Sequence, residues 1–459
     1  MDYNEFLQSK RFISQSTGFT PDSINPMLFD FQRDIDRWAC KKGKAGIFAQ
    51  CGLGKTPMQL AWGEQVCKYG DVLIAAPLAV SRQTIREGQK FNIPVNLCRT
   101  HGDVKPGINI TNYEMLEHFD AGKFAGIILD ESSILKSYDS KYRNTIISMF
   151  RDTPYKLSCT ATPAPNDFME LGNQCEFLNV MSRTEMLATF FVHDGGDTSK
   201  WRLKGHAEDK FWEWVASWAV VIQRPSDLGY SDGKFILPPL NIQEIIVDSP
   251  HKSQHGQLSF VPELALTLQE RREARRDSLE NRVAAAAELT KNGEQWLLWC
   301  DLNAESDALA KAIPGAVEVK GSDSQEHKES AAIGFANGDI RVLVSKPSIF
   351  GFGLNWQSCH NMAFVGLSDS YEQIYQAMRR CWRFGQIYPV NVYIITSRRE
   401  GAVKANIERK EADSERMIGE MVRYTKDILT KEIRGTVRET TDYNPTEEMI
   451  LPEWLGVVA

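Results

Sequence analysis

No stretch of this chain approaches the roughly 18 to 20 uninterrupted apolar residues that a membrane span needs. Met1 to Arg11 is polar where a secretory leader would be basic and then apolar, so a soluble, cytoplasmic protein is the expectation. The nine cysteines (40, 51, 67, 98, 159, 175, 300, 359, 381) include no Cys-x-x-Cys pair, which argues against a zinc ribbon or a disulfide framework; the odd count fits reduced thiols. Excess positive charge is also missing: 53 basic against 60 acidic residues leave a net charge of -7, so any binding to nucleic acid must rest on a local basic surface. Low-complexity runs and internal repeats at a 20 to 50 residue period are absent as well. What remains is 459 residues, 42% apolar and 25% charged, enough to fold and long enough for about three domain-sized units.

From Gly46 to about Leu178, short apolar runs alternate with helix-like segments, the pattern of a parallel sheet covered by helices on both faces. Ala45 to Ala49, Val72 to Ala76, Gly107 to Ile110, Ile127 to Asp130 and Tyr155 to Cys159 read as its strands. A second series of the same kind runs through Gln295 to Cys300, Ala316 to Val319, Ile340 to Val344, Met362 to Val365 and Val390 to Ile395. The expected organisation is an N-terminal segment 1–24, a first lobe 25–178, a mainly helical insertion 179–290, a second lobe 291–400 and a helical tail 401–459. Aromatics in the insertion (Phe190, Phe191, Trp201, Phe211, Trp212, Trp214, Trp218) are expected to pack a small core rather than stack on bases. Arginines 271, 272, 275, 276 and 282, interleaved with acids, read as a solvated helix, with a DNA-facing surface as the alternative.

The strongest local signal is Ala49-Gln50-Cys51-Gly52-Leu53-Gly54-Lys55-Thr56, between the first strand and a helix. Glycines let backbone N–H groups turn into one concavity, Lys55 supplies a cation for phosphate, and the Thr56 hydroxyl can ligate Mg²⁺. Asp130 and Glu131, at the carboxyl end of a buried strand, suit the complementary task. Asp130 would hold Mg²⁺ through its water shell, and Glu131 would accept a proton from the attacking water. In Gln376 to Gln386, Arg380 and Arg383 lie three apart on a predicted helix and so share a face, placed to stabilise charge developing on a γ-phosphate.

Read in order, the motifs resemble those of superfamily 2 helicases. They are Gln32, Gly52-Leu53-Gly54-Lys55-Thr56, Ala76-Pro77-Leu78, Thr111-Asn112-Tyr113-Glu114, Asp130-Glu131-Ser132-Ser133, Thr160-Ala161-Thr162-Pro163, and Gly353-Leu354-Asn355 followed by Gln376 to Gln386. Gly-Leu-Gly-Lys-Thr, Gly-Leu-Asn, the Gln-Ala-x-x-Arg-x-x-Arg-x-Gly-Gln run, and Arg224 leading to Leu237-Pro238-Pro239 are similar to the Swi/Snf-type branch. The resemblance implies two RecA-like parallel-sheet lobes in tandem, an α/β fold with ATP and Mg²⁺ at their interface. It further implies that Gln32 reads the adenine, that Gly52, Leu53, Gly54, Lys55 and Thr56 cradle phosphate, and that Gly353 and Gln376 join the nucleotide set from the facing lobe. Asp130 and Glu131 then run hydrolysis, Arg380 and Arg383 complete the site, and Thr160, Ala161 and Thr162 couple the ATP state to DNA. Departures are Ala49-Gln50-Cys51 before Gly-Leu-Gly, Ser133 where a histidine is common, and Arg379 where relatives carry an acid. The Ser133 change implies that the contact joining hydrolysis to the coupling motif is made differently.

The expected activity is an ATP-dependent motor on duplex or branched DNA, independent of sequence, with the compact build of phage and prophage forms and the bacterial host cytoplasm as location. Alternatives are a strand-separating helicase, or an ATP switch recruiting a replication or recombination protein. A small-molecule P-loop kinase would leave the second lobe's arginines without a role.

Overall fold

Runs of Val, Ile, Leu and Ala too short for helices and apolar on both faces need cover from two layers, and that is how the chain folds. The computed structural model describes residues 14–77, 80–136, 141–164, 167–194, 197–248, 275–350, 355–367, 370–398 and 401–434. In the first lobe, β1 (Lys44–Ala49), β2 (Val72–Ala76), β3 (Val95–Leu97), β4 (Ile108–Asn112), β5 (Gly126–Asp130) and β6 (Tyr155–Thr160) are parallel strands. A hairpin follows, β7 (Phe191–Asp194) against β8 (Asp197–Leu203). Next comes β9 (Ala219–Ile222), which pairs with β1 and completes a seven-stranded sheet of order β3-β4-β2-β5-β6-β1-β9. Along β2, Leu73 and Ala75 face one apolar core while Val72, Ile74 and Ala76 face another, the two-residue period of a sheet buried on both sides.

The second lobe repeats the plan. Strands β10 (Leu240–Val247), β11 (Trp296–Trp299), β12 (Ala316–Glu318), β13 (Val342–Ser345), β14 (Asn361–Phe364) and β15 (Val390–Ser397) form a parallel sheet of order β10-β15-β14-β11-β13-β12. Trp296 and Leu298 face one core, Leu297 and Trp299 the other.

The segment read as a helical insertion therefore gives a strand to each sheet. Two features hid β9 and β10: β9 runs straight on from the aromatic stretch with no Gly or Pro before it, and β10 is an edge strand whose mixed residues stay largely exposed. The aromatics do pack a core: Phe190, Phe211, Trp212, Trp214 and Trp218 are all buried and belong to the first lobe. Arg275 and Arg282 correct the reading of a solvated arginine helix. Both are buried: Arg275 pairs with Asp301 (2.6 Å), and Arg282 pairs with Glu305 (2.7 Å) and donates to Ser278 Oγ (3.0 Å). Arginines 271 and 272 lie outside the described residues.

The long helix Gly401–Ile433 follows the second lobe in sequence but packs on the first. Met417, Met421 and Val422 enter one of its cores, and Leu429 and Ile433 the other. Tyr424 stacks on Trp212 (centroids 5.5 Å, planes 4° apart), while Glu432 pairs with Lys42 (2.8 Å) and accepts from Trp38 Nε1 (3.0 Å). Among the described residues no helix is long and apolar enough to cross a membrane.

Candidate nucleotide site between the lobes

All strands of the first sheet are parallel, so the carboxyl ends of β1, β6 and β5 open on one edge, where α/β sheets bind ligands. The loop from β1 to the helix Lys55–Val66 has Gly52 and Gly54 at positive φ (+95° and +82°). A Cβ on Gly52 would stand 3.1 Å from the Phe384 backbone nitrogen of the second lobe, and one on Gly54 2.2 Å from Gln32 Nε2, so only glycine fits either turn. Gln32 is buried and braces this loop: its Nε2 donates to Leu53 O (2.8 Å) and its Oε1 accepts from the Phe29 N–H (3.0 Å). Lys55 Nζ donates to Ala49 O (2.9 Å). Burial works against its charge, but Cys51, Glu131 and Asp130 outweigh that and hold its pKa above the usual lysine value.

At the end of β5, Asp130 accepts from Gln59 Nε2 (2.8 Å), and its carbonyl accepts from Tyr113 Oη (2.7 Å). Gln59 lies one helical turn after Lys55, so one face of that helix serves both loop and carboxylate. Glu131 sits at φ +55°, a left-handed conformation that costs a non-glycine residue free energy and marks a position held by its surroundings. Burial raises the pKa of both carboxyls, while Gln59, Lys55 and Arg380 oppose the rise at Asp130 and Lys55 and Arg380 oppose it at Glu131. Glu372 of the second lobe is close enough to raise Glu131 further.

The facing helix Tyr371–Met378 ends before the arginines, which corrects the expectation of one continuous helix. The Trp356 N–H donates to Arg380 O (2.9 Å) and Gln386 Nε2 to Cys381 O (3.3 Å), so loop and side-chain donors take carbonyls that a longer helix would have used. Arg380 is buried and folds back onto Gln376, donating to its carbonyl (2.9 Å) and to its Oε1 (3.2 Å). Burial and the neighbouring Arg380 push the Arg383 pKa down to about 10, which leaves it cationic at neutral pH. The lobes touch where Cys51 Sγ donates to Gln376 Oε1 (3.6 Å) and where Phe384 meets Phe29 and Phe235 (6.0 and 4.9 Å between centroids).

Thr160 ends β6, and its hydroxyl donates to Glu131 Oε2 (3.5 Å) while accepting the Thr162 N–H (3.1 Å). The residues of the phosphate loop, Asp130, Glu131, Thr160 to Thr162, Gln376, Arg380 and Arg383 thus meet at one interlobe cleft. Gly353 lies outside the described residues. Two contributors were not singled out from the sequence, Gln59 and Glu372, and Arg379 was marked only as a departure. Glu372 lies four residues before Gln376 and eight before Arg380, a spacing that carried the signal. Arg379 is buried, its guanidinium between the rings of Tyr375 and Trp382 (5.2 and 4.3 Å). With the Gln50 amide turned, Gln50 accepts from Arg379 Nη2 (2.7 Å).

Chemically, this is a site for an anion. Lys55 and Arg380 act on the two carboxylates, Arg379 and Arg383 stand beside Gln50 and Cys51 of the loop, and Gln376 Nε2 and Arg379 Nε and Nη1 are buried donors without a hydrogen-bond partner, as an absent phosphate would leave them. Among the described residues no group of three His, Cys, Asp or Glu side chains could hold a metal ion alone, so a cation here would share Thr56 and Asp130 with the nucleotide's phosphates.

Residues 279–385 match the helicase conserved C-terminal domain, which is the greater part of the second lobe. The chain is similar to the DNA annealing helicase and endonuclease ZRANB3 of Mus musculus, 26% identical over 179 residues, which are 35% of this chain and 17% of that protein. It also aligns with the Sulfolobus solfataricus SWI2/SNF2 ATPase core solved in complex with duplex DNA, at 16% identity and a TM-score of 0.42, over 91% of this chain and 98% of that one. The chain thus joins two lobes of parallel α/β build, the second of which carries a helicase conserved C-terminal domain.

Proposed function

We propose that the protein is an ATP-dependent DNA motor, in which hydrolysis between the lobes drives their closing and reopening on duplex or branched DNA. The observation that carries this reading is the convergence, across one cleft, of Lys55, Asp130 and Glu131 from one lobe with Arg380 and Arg383 from the other. The phosphate loop and Lys55 bind the triphosphate, and Thr56 and Asp130 would hold Mg²⁺, which neutralises phosphate charge when bound. Glu131 accepts the proton of the attacking water; Arg380 and Arg383 stabilise charge on the transferred phosphoryl group. Because the arginines ride on the second lobe, the site is complete only when the lobes meet, so each turnover is tied to lobe movement.

A DNA partner is supported by the similarity to an annealing helicase and by the cleft itself. Beside Glu131 it has a volume of about 760 Å³ and a lining of mixed charge: Arg86 and Lys328 stand with Glu87 and Glu114, while Arg82 and Lys136 pair with Glu329 and Glu372. Cations on helices and strand ends bind phosphate backbones without reading bases, so binding is sequence-independent and weakens steeply with salt.

The test is steady-state ATP hydrolysis by the full chain and Lys55→Ala, at fixed low salt, with no nucleic acid, single-stranded DNA, duplex DNA, branched DNA or RNA. Strongest stimulation by duplex or branched DNA, lost in Lys55→Ala, is the expected result. Strongest stimulation by single strands would instead favour strand separation, and no stimulation would remove the motor reading.

A further inference from the structure

Glu131 of the first lobe and Glu372 of the second line the same cleft. We infer that Glu372 is the positioning residue through which the second lobe sets Glu131 for hydrolysis; the inference rests on the ATPase reading of the site.

Glu372 lies in the first turn of the helix Tyr371–Met378, on the second lobe, yet its carboxylate is largely buried against the first. It accepts from Thr162 Oγ1 (3.4 Å) and pairs with Lys136. Thr162 donates its N–H to Thr160 Oγ1 (3.1 Å), and Thr160 donates to Glu131 Oε2 (3.5 Å). The donors diverge from Thr162: its hydroxyl gives its hydrogen to Glu372, and its N–H goes to the Thr160 oxygen, whose own hydrogen goes to Glu131.

The other arm reaches Glu131 along the chain. Lys136 ends the tight turn Ser132–Lys136 that begins one residue after Glu131. Glu372 therefore reaches Glu131 by two routes, to its carboxylate through Thr162 and Thr160 and along the chain through Lys136. This matters because Glu131 sits at positive φ, a conformation that persists only where neighbours hold it. The same helix leads to Arg380, so lobe opening withdraws the arginine and releases the base together. A second interlobe pair, Arg82 with Glu329 (2.5 Å), is not part of this relay and serves as a control for general lobe adhesion.

The experiment measures kcat and KM for ATP in the full chain, with and without plain duplex DNA, for Glu372→Ala, Glu372→Gln, Thr162→Val, the Glu372→Ala/Thr162→Val double variant and Glu329→Ala. Glu372→Ala is expected to lower kcat about tenfold while KM for ATP stays within about twofold, the mark of a group acting on the transition state rather than on binding. Thr162→Val should give a similar loss, and the double variant no further loss, because both cut one chain of contacts. Glu372→Gln keeps an acceptor for Thr162 and should recover part of the rate. Retained kcat in Glu372→Ala, losses that multiply in the double variant, or an equal loss in Glu329→Ala would each overturn the inference. Absence of DNA stimulation in the parent protein would instead overturn the motor reading, and it is scored separately on the same plates.

Discussion

Of the cations that each lobe buries, Lys156 in the first and Arg282 in the second are treated in opposite ways. In the first, Lys156 on β6 is surrounded by oxygens of neutral groups, Phe177 O (3.0 Å), Arg151 O (3.2 Å) and Asn179 Oδ1 (3.3 Å). Burial, with Lys44 nearby, pushes its pKa down to about 7. In the second, Arg282 keeps a full partner in Glu305, whose other oxygen accepts the N–H groups of Asp301 and Leu302 (2.9 Å each). The cleft side shows the reverse distribution. There the first lobe holds Asp130 and Glu131 near Lys55, and the second brings arginines. Each lobe is thus internally stable in its own way, but the charges of the reaction are balanced only across the gap. The proposed motor can therefore idle without hydrolysing, because neither lobe alone completes the site.

That contrast can be broken from either side. Removing the second lobe's contribution should have the largest effect: Arg383→Ala is expected to lower kcat about 10³-fold with a much smaller change in ATP affinity, as for other arginine fingers. Paired stopped-flow binding and turnover measurements check this, and a loss confined to affinity would place Arg383 in ground-state binding. On the first lobe, Glu131→Gln should bind ATP normally and turn it over about 10²- to 10³-fold more slowly, read by single-turnover hydrolysis. A normal rate would exclude Glu131 as the base.

The cores sharpen the comparison further. Glu305→Ala leaves Arg282 buried without its partner and should destabilise the second lobe by about 3–5 kcal/mol in denaturant unfolding. A value near zero would mean that water reaches the guanidinium. The smallest effect concerns Lys156. Its folded pKa of about 7 lies below the ordinary lysine value of about 10.4, so between these the unfolded chain holds a proton the folded chain lacks. The burial penalty is full below pH 7 and fades as pH rises. Lys156→Met should therefore gain stability over the parent at neutral pH, and the gap should narrow toward pH 10; a gap independent of pH would show that Lys156 keeps its charge when folded.

Much of the architecture was legible because strands buried on both faces announce themselves as short apolar runs, and β2 was read residue for residue. The positions of the Gly52–Gly54 turn between strand and helix and of Asp130 at a strand's end were legible because glycines and a strand followed by two acids stand out in one order. What stayed hidden depends on distant parts of the chain. The Ala219–Ile222 run becomes a sheet member only through β1, and Arg282 looks like a surface residue until Glu305 arrives from another helix. The return of Gly401–Ile433 to the first lobe has no local signal beyond charge, since its apolar positions fit a core on either lobe. Glu372 had the right spacing from Gln376, but no carboxylate on a helix identifies its partner before the lobes are brought together.

The most direct measurement is ATP-dependent displacement of the third strand from a DNA triplex by the full chain. A motor should displace it at a rate that follows ATP hydrolysis, and both Lys55→Ala and a non-hydrolysable ATP analogue should abolish displacement. DNA-stimulated hydrolysis with the triplex left intact would contradict movement and leave an ATP switch that closes on DNA without travelling along it.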